Sequence, residues 1–153
     1  MMQTIEKIIL HNLLKNEVYA RKVIPFLKEE YFMDKSERLI FRSINSFIIK
    51  YNLLPTEDSI NIDLINAPLS ENEFKDANSI VEYINNEKDD SSEEWLLEQT
   101  EKFCKDKAVY NAIMESIHII DGKSNTDKTE NAIPEILSDA LSVSFDAHIG
   151  HDY

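Results

Sequence analysis

The chain has 153 residues, with 16 Lys and Arg against 29 Asp and Glu and a formal net charge of -13. That length supports one ordinary domain whose core needs neither disulfides nor metal, while 29% charged residues and a mean hydropathy of -0.37 exclude a membrane protein. Only two glycines, Gly122 and Gly150, are present, which excludes glycine-rich loops that cradle phosphate and favours helices over hairpin-rich sheets.

The opening MMQTIEKIILHNLL has no basic leader or small-residue cleavage site, so no signal peptide is expected. The spacing predicts a first helix over residues 3–14, with Ile5, Ile8, Ile9 and Leu13 on one face. A short second helix follows from Glu17 to Ile24 and stops at Pro25. Phe26, Leu27, Tyr31 and Phe32 then act as apolar pegs for a loop. Asp34 or Ser36 caps a third helix running to about Lys50, apolar over more than half of its circumference. Thr56 after Pro55, and Ser70 after Pro68, each open a further helix with acids in the first turn. In the fifth helix Phe74, Ala77, Val81 and Ile84 form a narrow stripe, and the polar run NNEKDDSS ends this part of the chain.

From Ser92 to Ile120 nothing breaks the helix. Such a rod reaches about 43 Å, whereas a head of roughly 90 residues is only about 30 Å across. The helix is therefore expected to project. A seven-residue step through Leu96, Phe103, Tyr110 and Ile117, with Ile113 and Met114 beside it, marks an apolar seam. After DGKSNTDKTE, the residues Ile133, Leu137, Leu141 and Phe145 recur at four-residue spacing, with Pro134 tolerated in the first turn. The expected fold is all-α. A small helical head of about five helices (1–91) precedes a protruding antiparallel hairpin (92–145), and 146–153 begin a linker. Two such helices cannot bury all their apolar surface alone, so a second copy with two-fold symmetry is expected.

Charge is unevenly spread. Residues 1–51 hold nine basic against six acidic side chains, 52–101 hold two against fourteen, and 102–153 hold five against nine. So acidic a middle repels phosphate backbones. The basic bias at the front (Arg21, Lys22, Lys28, Lys35, Arg38, Arg42) has no aromatic ladder of the single-strand-binding type and reads as solvated helix faces.

The segments EEYF, WLLEQTEKF and AIPEILSDALSVSFDAHIGHDY, within this layout of head, acidic link, hairpin and tail, resemble the N-terminal domain of DnaB-type replicative helicases. The likeness is strongest to those of T-even-type phages and runs over nearly the whole chain. The resemblance implies a collar on a hexameric ring, often a trimer of dimers joined through the hairpins. It also implies a docking surface for primase and, in some systems, a helicase loader. ATP and Mg would belong to a motor domain that this chain lacks, so neither cofactor nor enzymatic activity is expected here. The setting it implies is DNA replication in the cytoplasm of a phage-infected bacterium, with no direct contact to nucleic acid or membrane.

Self-association is accordingly assigned to Leu96, Phe103, Tyr110, Ile113, Ile117, Leu137, Leu141 and Phe145. Partner docking is assigned to the acidic stretch with Glu87, Asp89, Asp90 and Glu94, together with Trp95. Rival readings have less support. Asp146, His148, His151 and Asp152 contain the His-Asp pair of metal-dependent phosphohydrolases, but no upstream His and carboxylate complete it, so no metal is expected. The GKS triplet at Gly122 lacks the upstream glycine of a nucleotide-binding loop and reads as a helix C-cap. Cys104 reads as an apolar filler and His118 as a hairpin-contact residue. A free-standing adaptor or decoy that mimics the collar is the alternative function.

Overall fold

The structure, a computed structural model, describes residues 3–122 and 129–145; the tail ligands and the linker read at 146–153 lie outside the described residues. Among the described residues every regular element is helical: seven α-helices and two single 3-10 turns. The all-α expectation is met. The chain forms two compact units, Met1–Thr100 and Glu101–Tyr153.

The first unit contains α1 (Ile5–Lys15), α2 (Glu17–Val23), α3 (Lys35–Tyr51), α4 (Glu57–Asn66) and α5 (Glu71–Asn86), the five helices anticipated ahead of the long one. Each starts on a side chain that satisfies an orphan amide of the first turn. Thr4 accepts from Lys7 N–H, Asn16 from Tyr19, Asp34 from Glu37, Thr56 from Ser59 and Ser70 from Glu73. The last two are reciprocal capping boxes. At the end of α3, Asn52 takes a left-handed φ of 56°, a conformation that asparagine tolerates. Arg21 holds it there, with Nη1 donating to its side-chain oxygen at 2.8 Å and Nη2 to its carbonyl at 3.0 Å.

The core is built from Ile9, Leu10 and Leu13 of α1, Ile40, Phe41 and Ile44 of α3, and Ala77, Val81 and Ile84 of α5. Of the loop pegs, Leu27, Tyr31 and Phe32 are buried, and Phe32 stacks on Phe41 with ring centroids 5.0 Å apart. Not every apolar position of α3 is used: Phe47 and Ile48 are half-buried and Tyr51 is exposed. The apolar arc of α3 is wider than what packs against it at its C-terminal end.

The long helix, α6, runs from Glu93 to Ile120. Its first two turns belong to the first unit, so the compact units divide at residue 100 rather than ahead of the helix at 91. Leu96 is 2% exposed, and the fully buried Thr100 hydroxyl meets Tyr19 Oη at 2.6 Å. At its far end Gly122 adopts a φ of +68°, the left-handed cap for which glycine carries no Cβ penalty. The C-cap reading of this glycine therefore holds.

In the second unit the chain re-enters a helix at α7 (Ile133–Leu141), with Pro134 in the first turn as expected. Here the structure corrects one boundary: Phe145 does not continue the helix. The amide of Ser142 bonds back to carbonyls of its preceding turn and its hydroxyl donates to Asp139 O at 2.8 Å, which closes α7 early. Phe145 is instead held by Glu101, whose Oε2 accepts from the Phe145 amide at 2.7 Å and the Ser144 hydroxyl at 3.3 Å. The chain that leaves Glu101 along α6 thus returns to it after α7.

Candidate interaction surfaces

The residues assigned to the seam separate into two groups. Leu96, Phe103 and Phe145 are 2%, 5% and 5% exposed and belong to the interior of the single chain. Leu137 is half-buried. Tyr110, Ile113, Ile117 and Leu141 are exposed, Tyr110 by 52%. The seven-residue step explains the split: on a straight helix each step drifts by about 20°, so a row begun at Leu96 leaves the buried face by Tyr110. Further along, α6 buries Ala112, Ser116 and Ile119 instead. Ile120, absent from the sequence assignment, is also exposed. With 100° per residue, Tyr110, Ile113, Ile117 and Ile120 fall within an arc of about 80°, a continuous apolar stripe facing solvent.

The acidic link separates as well. Asp90, Glu94 and Trp95 are exposed, while Glu87 is half-buried and donates its amide to Tyr83 O at 3.0 Å, closing α5. Asp89 is not a free surface acid. Its Oδ2 accepts from Asn12 Nδ2 at 2.8 Å, and its Oδ1 takes the Ser91 amide and hydroxyl. Burial opposes its ionisation, but hydrogen bonds from Ser91 and Asn12, with His11 nearby, outweigh that cost and hold the carboxyl below its usual range. Two further residues of α1 complete the fastening. Buried His11 lies 2.6 Å from the Ile84 carbonyl through Nδ1, which must donate, and Lys15 Nζ donates to Asn85 at 2.7 Å. The link is a clamped strap on α1. Sequence reading missed His11 and Asn12 because polar residues inside an apolar helix face give no sign of their partners some seventy positions away.

Of the six basic residues at the front, five are engaged by the chain itself. Arg42 forms a two-toothed pair with Glu29, which holds that carboxyl low, and Arg38 donates to the Phe32 and Met33 carbonyls. Arg21 pairs with Glu17, Lys22 with Glu93 and Lys35 with Glu73. Lys35, with the capping Ser70, lowers the Glu73 carboxyl to about 2.

Cys104 is fully buried, and burial, with the Glu101 carboxylate as a smaller cause, pushes its thiol up to about 12. A thiol so far from ionisation is a poor nucleophile. We expect a thiol-specific disulfide reagent to leave Cys104 unmodified in the native chain at pH 8 and to modify it fully in denaturant; native labelling at the denatured rate would contradict this burial. His118 is exposed on α6. Among the described residues no three His, Cys, Asp or Glu side chains converge as a metal site, and no helix is long and apolar enough to cross a membrane.

No protein-family model matches the chain. Over 154 aligned residues, however, it is 30% identical to the DnaB-like replicative helicase of Enterobacteria phage T4, an alignment that covers 96% of the chain. The chain is a relative of a DnaB-like replicative helicase. It spans 32% of the length of that relative, a share consistent with an N-terminal domain. The family resemblance drawn from the segments above is thereby borne out. Two of those segments have clear structural work. EEYF forms the 3-10 turn Glu29–Tyr31 and delivers Tyr31 and Phe32 to the core, and WLLEQTEKF is the stretch of α6 that carries Leu96, Thr100 and Phe103.

Proposed function

We propose that the chain is the non-catalytic N-terminal collar domain of a DnaB-type replicative helicase, acting in phage DNA replication by holding subunits together and offering a surface to primase or a loader. The observation that carries the reading is the 30% identity along 96% of the chain to part of a DnaB-like replicative helicase. The exposed stripe Tyr110, Ile113, Ile117 and Ile120 on α6, with Leu141 on α7, supports self-association, because contiguous apolar surface on a chain of this charge is stabilised by a partner. Its occupant in this reading is a second copy of the same stripe, related by a two-fold axis. ATP and Mg belong, in this reading, to the motor of the longer protein, which works in the infected bacterial host.

The test uses exposed positions only, since a charge at Phe103 or Leu96 would disturb the fold itself. Light scattering during size exclusion is expected to give a dimer, or a larger even assembly, that Ile117→Glu and Tyr110→Glu convert to monomers of unchanged helicity. A monomer at millimolar concentration, or an assembly indifferent to both substitutions, would sink the self-association reading. Primase docking is expected to involve the free acids Asp90 and Glu94 with Trp95, and to survive Asp89→Asn only where the strap stays closed.

A further inference from the structure

At the end of α7 the side chains favour one course and the backbone takes another. Ile133, Leu137, Leu141 and Phe145 keep four-residue spacing, so one more helical turn would set Phe145 about 40° round the axis from Leu141. Leu141 is 59% exposed, whereas Phe145, in the observed course, is 5% exposed. The stop after Leu141 is shallow. Ser142 keeps near-helical angles, φ -85° and ψ -1°. Its amide already makes the helical bond to Ser138 O at 3.1 Å and shares a second to Asp139 O at 3.3 Å. Three further bonds would complete the turn: Val143 to Asp139 O, Ser144 to Ala140 O and Phe145 to Leu141 O. Each has a member engaged elsewhere. The Ser142 hydroxyl donates to Asp139 O at 2.8 Å, the Val143 amide to Ala140 O at 3.3 Å, and the Phe145 amide to Glu101 Oε2 at 2.7 Å. Glu101 on α6 thus takes the amide that the last bond of the turn requires.

We propose that Glu101 is the clasp of a two-state helix end. With the clasp closed, α7 ends at Leu141 and Phe145 lies inside. With it open, residues 142–145 join α7, Phe145 falls in line with Leu141 on one face, and the helix end advances by about 6 Å. The clasp therefore sets where the chain after Phe145 begins and how much apolar surface α7 shows. Two terms hold it closed. A carboxylate accepts an amide proton more strongly than the competing Leu141 carbonyl does, and opening brings the Phe145 ring back towards water. Ser142, Val143 and Ser144 act in the same direction, since all are weaker helix formers than leucine or alanine, and the Ser142 hydroxyl competes for the backbone. Against them stands the regular helical bonding for which Ser142 is already placed. The clasp lies wholly within the second unit and stands whether or not the self-association reading does.

Nuclear magnetic resonance of the intact chain tests this through the Cα chemical shifts of Val143, Ser144 and Phe145, with a soluble spin label reporting the exposure of the Phe145 ring. Glu101→Ala is expected to move all three shifts towards helical values and to broaden the ring signals. Glu101→Gln keeps an acceptor without its charge and is expected to fall between the parent and Glu101→Ala. Ser142→Ala alters an exposed side chain, frees Asp139 O and leaves Glu101 in place. It is expected to move the same shifts in the same direction, which keeps the test open if Glu101→Ala disturbs the packing of α6. Adding Val143→Pro to Glu101→Ala removes an amide that the extra turn needs and is expected to abolish the helical gain. Loosening of residues 143–145 in Glu101→Ala without helical shifts would make Glu101 a plain tether and overturn the proposal. So would parent-like shifts in Ser142→Ala, or a gain that survives Val143→Pro.

Discussion

Replacing Lys7 by methionine is expected to destabilise the first unit by about 3 kcal/mol at neutral pH. The reason is Glu37 on α3, only 4% exposed, whose Oε2 lies 3.1 Å from Lys7 Nζ on α1. Removing the cation leaves a buried carboxylate without its counter-ion. Even with Lys7 in place, burial outweighs that attraction and raises the Glu37 carboxyl above its usual 4.5, with Asp34 and Glu6 adding in the same direction. A carboxyl whose folded pKa is raised contributes stability that is fully present below the unfolded value and lost as pH rises through the folded one. The deficit of Lys7→Met should therefore shrink as pH is lowered from 7 towards 4.5, beginning at a higher pH than for a surface pair whose carboxyl is not raised. The double variant Lys7→Met, Glu37→Leu should recover most of the loss, since apolar residues replace buried pairs with little penalty. Urea titrations at pH 7 and pH 5 measure both effects, and a deficit independent of pH would contradict the assignment.

The second large effect is expected at His11. Its imidazole fills a buried site in α1 and donates to Ile84 O, one of the carbonyls that the end of α5 leaves without a helical partner. His11→Leu keeps most of the volume but strands that carbonyl, at a cost of about 2 kcal/mol; His11→Ala adds a cavity and should cost more. The loss should be local as well as global. Amides from Glu87 to Ser91 should exchange with solvent faster in His11→Leu than in the parent, because the strap loses the anchor next to Asn12 and Asp89. Unchanged protection there, with full global stability, would show that His11 does not hold the strap.

These two residues also show what periodicity can and cannot report. Apolar spacing locates α1 within one or two residues, since burying Ile9, Leu10 and Leu13 requires a helix wherever they share a face. The same spacing places His11, Asn12 and Lys7 on that helix but is silent about their partners at Ile84, Asp89 and Glu37. Those pairings depend on which helix lies alongside, and adjacency in space leaves no local mark in the chain.

The seam of α6 makes the same point from the other side. A run of apolar residues at seven-residue steps is visible in the sequence, but which of them face solvent is not: Tyr110, Ile113 and Ile117, with Leu141 of α7, are exposed. Phe103 and Leu96 are in the interior of their own chain, and Phe145 is turned inward by Glu101, an acid that no spacing rule singles out. Burial is a property of what surrounds a position, so the helix could be read and its faces could not. Likewise the apolar width of α3 is plain in sequence, but only packing shows that its final turn, Phe47 to Tyr51, remains half in water as the wall of a groove.

The sequence by itself determined the helical class, the starts of α4 and α5 at Thr56 and Ser70, the stop at Gly122, and the kinship with replicative helicases. All of these are written in local chemistry: a hydroxyl three residues before an orphan amide, a residue without Cβ where φ turns positive, a string of matched residues. Tertiary structure alone decided which polar groups are latches and which are free, and which apolar faces remain for partners. Those outcomes follow from desolvation and from contacts between segments far apart in the chain, where Glu37, Asp89 and Cys104 acquire properties that the same residue types lack in water.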